Sequence, residues 1–319
     1  MSCDDTFRQL NDLNKALADP FRTGETIYHY TSAEGLRGIV ARGEIWLTNT
    51  AFVNDTTECR AFWSLTRDEV LGSGSFPNKY VEKCWEWMKR CQPVDNHYYV
   101  ASFSKVNDSL QQFRAYGSFC IGFDASRLVK TRFLLHNCLY DTPAIKDWIR
   151  QKSCIEQWEG DCLDDMAKDA GAHNLLFAAS VKYKNTHYEA EQEVRLISVS
   201  YHDLRDLNRR CMSENMAPIH FRDHRAYGLP VPFVKFFLTD GAYEDCRSEL
   251  LAAETPMATR MRRLKKEEGQ SRGLLPVTRI CLGPMVRQEE AKIACEILLQ
   301  AKGYEHVVVD PLDIPYRGP

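Results

Sequence analysis

The chain has 319 residues and a mass of 36.8 kDa, enough for one large α/β or α+β domain or for two smaller ones. Its 44% hydrophobic and 27% charged residues are typical of a folded globular protein and exclude disordered, collagen-like and coiled-coil chains. The 41 basic and 44 acidic residues give a formal net charge of −3, which does not indicate a nucleic-acid or membrane-surface binder. Any such partner has to be bound by a local patch.

The N-terminal sequence lacks the basic start and apolar stretch of a secretory signal, and no apolar run approaches the roughly 18 residues of a spanning helix. We therefore expect a cytoplasmic protein without a membrane segment. The 12 cysteines fall at irregular intervals and form no CxxC motif, which argues against zinc-ribbon and thioredoxin-like folds. Reduced thiols that act as small buried hydrophobes are the expectation.

The first third of the chain alternates between helical and extended patterns. The spacing of Thr31 and Glu34 is that of a capping box and predicts a helix start, and Gly43 predicts the end of that helix. The predicted elements, in chain order, are a helix over 4–18, a strand over 26–31, the helix that ends at Gly43, a strand over 44–48, a loop over 49–55 and helices over 55–70 and 79–91.

The rest of the chain predicts a sheet with helical insertions. Predicted strands lie at 97–103, 118–123, 193–199, 234–238, 277–282 and 306–309, with helices over 109–116 and 286–301. Residues 141–180 and 242–269 are helical by pattern, the second with a break at Pro256. No internal repeat and no Pro/Ser-rich linker occurs, so we expect a single domain over 1–319 with helical insertions at about 55–91, 141–180 and 242–269.

Polar residues near the end of the first strand are candidates for a binding site. Alternation places His29 and Thr31 on one face of this strand and Tyr28 and Tyr30 on the other. A histidine and a hydroxyl on one face are suited to hold a polar ligand. A lone strand-end histidine is nevertheless more often satisfied by nearby backbone groups.

A second group of candidates follows the strand at 97–103. Ser102 and Ser104 flank Phe103, and a short helix leads from there to Tyr116 and Gly117. Small residues at a strand end allow a flat ligand to approach the backbone closely. Packing in the core explains Phe103, but it does not explain two serines beside it.

A third group is acidic and enters the strand at 193–199. Alternation places Glu191, Glu193 and Arg195 on one face, where the two like charges repel each other. The simpler interpretation is a solvated strand edge with an ordinary Glu–Arg pair. An interpretation as a functional site needs independent support.

Three other features have simple explanations. Asn54 or Asp55 is expected to be an ordinary N-cap, and the segment LGSGSFPN lacks the Gly-Lys-Ser/Thr ending of a phosphate loop, which predicts a linker. His220 and His224 have a spacing that suits a metal on a helix, but Pro218 and Pro230 lie close on either side. We interpret this stretch as a polar surface segment and predict no metal site.

Several motifs occur in the order in which similar motifs occur in a family of bacterial cytoplasmic proteins. They span almost the whole chain and read IYHYTSAEGLRGIVARGEIWLTNTAFVNDTTE, ASFSKVNDSLQQFRAYGSFCIGFD, YEAEQEVRLI, RICLGPMVRQEEA and DPLDIPYR. The opening strand with its His-Tyr-Thr sequence, the helix after it and Gly43 also resemble the start of the ADP-ribosyltransferase superfamily, including the DNA-targeting members of toxin–antitoxin systems. This resemblance implies an α+β fold with an ADP-ribosyltransferase-like mixed β-sheet core and helical insertions.

The resemblance also implies roles for individual residues. In that superfamily a histidine or arginine on the first strand holds the adenosine ribose of NAD, and His29 matches it. A glutamate on a later strand completes the catalytic triad, and Glu193 matches it, with Glu191 as the outer acid that helps to activate the acceptor. The remaining candidates line the NAD pocket and are Tyr30, Thr31, Ser102, Ser104 and Tyr116. The middle element departs from the superfamily pattern, since no Tyr or Ser-Thr-Ser motif marks it.

The function implied by this resemblance is NAD-dependent ADP-ribosylation of a macromolecule, nucleic acid or protein, by a bacterial toxin or phage-defence effector that needs no metal. The alternative is a non-catalytic module on the same fold that binds a nucleotide or nucleic acid. The basic segment Arg260–Arg272 is a candidate contact, although such a run is usually a solvated helix face. A nuclease is disfavoured because no tight cluster of acidic metal ligands occurs.

Overall fold

A large, mostly antiparallel sheet with a few helices forms the described part of the molecule. The structure is a computed structural model. It describes residues 21–22, 24–53, 62, 64–65, 98–129, 134–140, 143, 179–199, 219–223, 228–239, 272–285 and 287–314. None of the described helices is long and apolar enough to cross a membrane.

The elements are as follows. The strands are β1 (Thr26–Thr31), β2 (Ile45–Asn49), β3 (Tyr98–Ser104), β4 (Phe119–Asp124), β5 (Leu134–Asn137), β6 (Glu193–Val199), β7 (Ile219–Asp223), β8 (Pro230–Phe236), β9 (Leu238–Thr239), β10 (Arg272–Gly273), β11 (Val277–Leu282) and β12 (Val308–Pro311). The helices are α1 (Ala33–Arg42), α2 (Leu110–Tyr116), α3 (Ala125–Val129) and α4 (Gln288–Ala301), with 3-10 turns at Thr50–Phe52 and Thr186–Glu191.

Ten of these strands belong to one sheet. Its main path is β12-β11-β4-β1-β3-β2-β8-β7, with β6 paired to β3 and β5 paired to β6. The β11–β12 pair is parallel, and β9 and β10 form a separate two-stranded sheet. The predicted combination of a mixed sheet with helices is therefore confirmed.

Helices cover the two faces of the sheet around β1. Ile27 of β1 belongs to the main apolar core together with Leu36 of α1 and Leu299 of α4. Tyr30 of β1 packs on the opposite side in a smaller cluster with Phe113 of α2. We call these the α1 face and the α2 face of the sheet. Alternation along β1 places His29 on the α1 face and both Tyr28 and Tyr30 on the α2 face.

Local sequence signals fix the ends of α1. Gly43 adopts a left-handed conformation with φ 62° and ends the helix as predicted. The predicted start is wrong by one residue, because the N-cap is Ser32, whose Oγ accepts the N–H of Gly35 at 3.2 Å, and not Thr31. Thr31 is still paired with Phe119 in the sheet, so the helix begins after it.

Most other predicted strands agree with the structure to within two residues, but the region before 240 differs. The strand predicted at 234–238 is β8, which begins at Pro230, and the segment around His220, expected to be a polar surface segment, is strand β7. The pairing explains how β8 tolerates two prolines, because Pro230 and Pro232 pair with β7 alone, while β2 pairs only with 233–236.

The chain divides into two compact units. One contains Met1–Pro20, Thr50–Asn96 and His136–Ala190, and the other contains Phe21–Asn49, His97–Leu135 and Glu191–Pro319. The expectation of one domain over 1–319 stays a prediction, since a compact unit can be a part of a domain.

Several predicted helices fall largely outside the described residues. They are 4–18, 55–70, 79–91, 141–180 and 242–269, of which only residues 62, 64–65, 143 and 179–180 are described, and these are helical. The basic segment Arg260–Arg272 also lies outside them except for Arg272, which begins β10. The cysteines within the described ranges are buried free thiols, as expected, namely Cys120, Cys138, Cys281 and Cys295.

Candidate functional site

The sheet branches at β3. One edge of β3 pairs with β6 along its whole length, from Tyr98 to Ser104. The other edge is shared, because β1 pairs with it at Ser104 and β2 pairs with it at Tyr99 and Val100. Residues 101–103 therefore have no strand partner on this edge among the described strands. We call this stretch the branch point.

His29 occupies the gap at the branch point. Its Nδ1 lies 2.9 Å from the main-chain oxygen of Ser102, and its ring centroid lies 5.6 Å from that of Phe103. A carbonyl only accepts hydrogen bonds, so Nδ1 carries the proton and donates it. Burial lowers the pKa of His29, which keeps the ring neutral at physiological pH and leaves Nε2 as an acceptor. Within the described part of the chain, Nε2 makes no hydrogen bond.

Ser102 lies in the middle of the stretch of β3 that has no strand partner on one edge. Its side chain is exposed, whereas both of its neighbours, Ala101 and Phe103, are buried. Its hydroxyl can donate one hydrogen bond and accept others. Alternation along β3 places this hydroxyl on the α2 face with Ser104, whereas His29 on the α1 face contacts the main-chain oxygen of Ser102.

Ser104 has a structural role. Its buried hydroxyl donates to the main-chain oxygen of Glu191 at 2.6 Å and accepts the N–H of Val106 at 3.1 Å. The side-chain amide of Gln112 donates to the same oxygen of Glu191 at 3.4 Å. These bonds fix the backbone immediately before β6. They do not present Ser104 to a ligand.

Glu193 and Arg195 form a buried ion pair. Their side chains are 4% and 1% exposed, and the guanidinium holds both carboxylate oxygens, with Nε 2.9 Å from Oε1 and Nη2 3.3 Å from Oε2. The interpretation of this strand as a solvated edge is therefore wrong, although the Glu–Arg pairing is right. Spacing along the chain places both groups on one face, but it does not say that the face is covered.

The structure does not bring His29 and Glu193 to the same face of the sheet. Glu193 is paired with Ser104, and Ser104 is paired with Tyr28, so these three side chains share the α2 face. His29, next to Tyr28 along β1, points to the α1 face and reaches toward β3 through its bond to Ser102. Their strands are near neighbours all the same, in the order β1, β3, β6.

Tyr30 is bound to the loop that follows β3. Its hydroxyl donates to the main-chain oxygen of Val106 at 2.8 Å and accepts the N–H of Ser109 at 3.1 Å. Its ring meets that of Phe113 edge-on at 4.8 Å, and burial raises the pKa of its hydroxyl. These contacts position the start of α2, so Tyr30 supports the site without facing a ligand.

The end of α2 lies against the end of β1. Gly117 has φ 122°, and a Cβ there would lie 2.8 Å from both the main-chain oxygen of Thr31 and the Cα of Ser32. Thr31 is buried at this contact, while Tyr116 is exposed. Of the candidates, the structure therefore leaves Ser102 and Tyr116 exposed and His29 and Glu191 half-buried.

Glu44 is a buried charge that the sequence analysis missed. Its carboxylate accepts the indole N–H of Trp46 at 2.8 Å, and it lies 3.1 Å from Nε of Arg42 and 3.7 Å from Nζ of Lys235. The one sequence signal is an acidic residue between Gly43 and an apolar strand. This cluster holds the turn between α1 and β2 and is satisfied within the protein.

Comparison of the chain with protein-family models, with curated proteins and with solved structures finds no match. The branch point and the motif resemblance are therefore the basis for inferring a function. Chemically, the branch point offers a neutral acceptor on the α1 face and an open strand edge, which suit a ribose hydroxyl.

Proposed function

We propose that the protein is an ADP-ribosyltransferase-like enzyme that binds NAD at the branch point and transfers ADP-ribose to a macromolecular acceptor, either nucleic acid or protein. The observation that carries the proposal is the bond between His29 Nδ1 and the Ser102 carbonyl where β1 and β2 diverge. This bond directs Nε2 as an acceptor toward a ligand hydroxyl. His29 then holds a ribose of NAD from the α1 face, beside the main chain of Ser102.

The order of the strands supports the proposal. β1, β3 and β6 are consecutive neighbours, and they carry His29, Ser102 and Glu193 respectively. Neighbouring strands lie about 4.8 Å apart, so β1 and β6 are separated by about 10 Å. Because Glu193 and His29 face opposite sides of the sheet, a dinucleotide that contacts both has to pass the open edge of β3 at the branch point. The three residues named by the resemblance thus lie on adjacent strands of one sheet.

The chemistry assigns Glu193 the stabilisation of a positive charge. Cleavage of the nicotinamide–ribose bond leaves an oxocarbenium-like sugar, which a fixed carboxylate stabilises electrostatically. Arg195 is the counter-ion of Glu193 and occupies both of its oxygens. Transfer therefore requires the ion pair to open so that the carboxylate exchanges the guanidinium for the sugar.

The Glu193–Arg195 pair also favours a second candidate function, a non-catalytic module that binds a nucleotide at the branch point. A carboxylate that is buried, paired and on the opposite face from His29 is not presented to a ligand held by His29. In this case His29 and the open edge of β3 bind the nucleotide and no bond is cleaved. The two candidates differ in one observable, the release of nicotinamide from NAD.

The test combines calorimetry of NAD binding with an assay of nicotinamide release, on the wild type, H29A and E193Q. H29A removes a cofactor contact and should weaken binding by about 1–3 kcal/mol, roughly 5- to 150-fold in Kd. E193Q should largely retain binding and suppress release, because the charge acts in the transition state. The matched controls H306A and E289Q, at exposed positions, should change neither.

The outcomes separate the candidates. NAD binding with nicotinamide release supports the enzyme, and NAD binding without release, even with cell lysate as a source of acceptor, supports the binding module. A wild-type protein that neither binds nor consumes NAD rejects both. Each variant is compared at a temperature at which circular dichroism shows it to be folded.

A further inference from the structure

Lys182 and His136 are buried polar residues without partners. Their side chains are 1% and 3% exposed, and both belong to the unit that contains His136–Ala190. Lys182 Nζ and both ring nitrogens of His136 make no hydrogen bond within the part of the chain that the structure describes. Buried polar groups in folded proteins are nearly always satisfied, so these three atoms need an explanation.

Main-chain bonds hold the two residues in neighbouring segments. The N–H of Leu139 donates to the main-chain oxygen of Lys182 at 2.8 Å, and the N–H of Lys184 donates to the oxygen of Leu139 at 3.1 Å. Leu139, three residues after His136, therefore pairs with Tyr183, next to Lys182. Burial lowers the pKa of His136 to about 3, and the positive charge of Lys182 is the second cause of this shift. The two side chains thus share one electrostatic environment.

The environment of Lys182 is unfavourable for its charge. Ala179 and Val181 beside it are buried and apolar, and burial lowers the pKa of Lys182 to about 8, so the ammonium form still predominates at pH 7. A buried ammonium without a counter-ion is among the most costly groups in a protein. Lys184, two residues later, differs because its Nζ lies over the ring of Tyr188 at 4.8 Å.

We infer that Lys182 and His136 form a binding site for a small oxyanion, a carboxylate or phosphate group. Such a group supplies a negative charge that balances the ammonium and oxygen atoms that accept its three N–H bonds. Neutral His136 adds one ring N–H donor to the same oxygens. The ligand must be small because both side chains are almost fully enclosed. This site is separate from the branch point and does not depend on NAD.

The experiment measures thermal unfolding and calorimetric binding with inorganic phosphate and with acetate, each against chloride at the same ionic strength. The wild type should gain at least about 2 °C in Tm at saturating anion. K182M should lose this gain and, without added anion, unfold at a higher temperature than the wild type, because the unpaired charge is gone. H136L, which keeps the ammonium, should retain binding with a several-fold weaker Kd.

The matched control K184M removes a lysine from the same segment and should keep the full response to the anion. A response to phosphate but not acetate identifies a phosphate group as the ligand, and the reverse identifies a carboxylate. If K182M does not fold, K182Q provides the same neutralisation with a polar side chain. An absent response in the wild type, or an equal response in the wild type and the Lys182 variant, overturns the inference.

Discussion

The imidazole of His29 is hydrogen-bonded through Nδ1 to the main-chain oxygen of Ser102 at 2.9 Å, where a strand-to-strand bond would otherwise lie. Strands β1 and β2 both pair with the same edge of β3, and they leave residues 101–103 between them. Backbone carbonyls at such a gap need a partner. A side chain supplies it here, so His29 closes the gap in the sheet.

Replacement of His29 by alanine should destabilise the fold by about 1 kcal/mol, because the Ser102 carbonyl loses its donor and has to be solvated instead. H29Q retains an N–H donor and should recover part of this loss. Urea unfolding of the two variants and the wild type measures the difference. Equal stability of H29A and the wild type would show that the bond contributes nothing to the fold.

The buried pair of Glu193 and Arg195 should behave as a unit. E193Q leaves a buried guanidinium without its counter-ion and should cost about 3–5 kcal/mol, and R195M should cost a similar amount. The double variant E193Q/R195M removes both charges and should be more stable than either single variant. Chemical denaturation of the four proteins forms a double-mutant cycle. Additive single effects would contradict a direct pair.

The stability of the wild type should rise between pH 8 and pH 10.5 because of Lys182. Burial lowers the pKa of Lys182 from 10.5 to about 8, so in this window the unfolded chain binds a proton that the folded chain has released. The penalty is fully present below pH 8 and disappears as the pH rises through 10.5. It amounts to about 3 kcal/mol at 1.36 kcal/mol per pH unit.

The measurement for Lys182 is urea unfolding at pH 7.5 and at pH 10, for the wild type and K182M. The variant lacks the titrating amine, so the difference in stability between it and the wild type should shrink at the higher pH. K184M, whose lysine has an aromatic partner, should follow the wild type. A constant difference between K182M and the wild type at both pH values would show that Lys182 titrates normally.

Gly117 should not tolerate a side chain. Its φ of 122° is unfavourable for other residues, and a Cβ would meet the backbone of Thr31 and Ser32 at 2.8 Å. G117A should therefore cost about 1–3 kcal/mol or more. G228A is the matched control, since Gly228 has φ 60° but nothing within 4 Å of a Cβ. Comparable losses in both variants would show that φ alone matters.

The sequence by itself determined the local elements around the site. Strand β1, strand β6 and the end of α1 at Gly43 follow from alternation and from the left-handed cap, which depend only on residues close in the chain. The same patterns predicted that His29, Ser102 and Glu193 lie on three separate strands. Their predicted roles in binding NAD came from the motif resemblance, and they stay predictions.

Tertiary structure alone decided which of these residues meet. The register of β1, β3 and β6 places His29 and Glu193 on opposite faces, and a shift of one residue would reverse this relation. The charge spacing of Glu193 and Arg195 is the same for a solvated edge and for a buried pair, and only packing distinguishes them. The same holds for Lys182. Its sequence context does not show that it is buried. Its burial without a partner depends on the residues that the fold places around it.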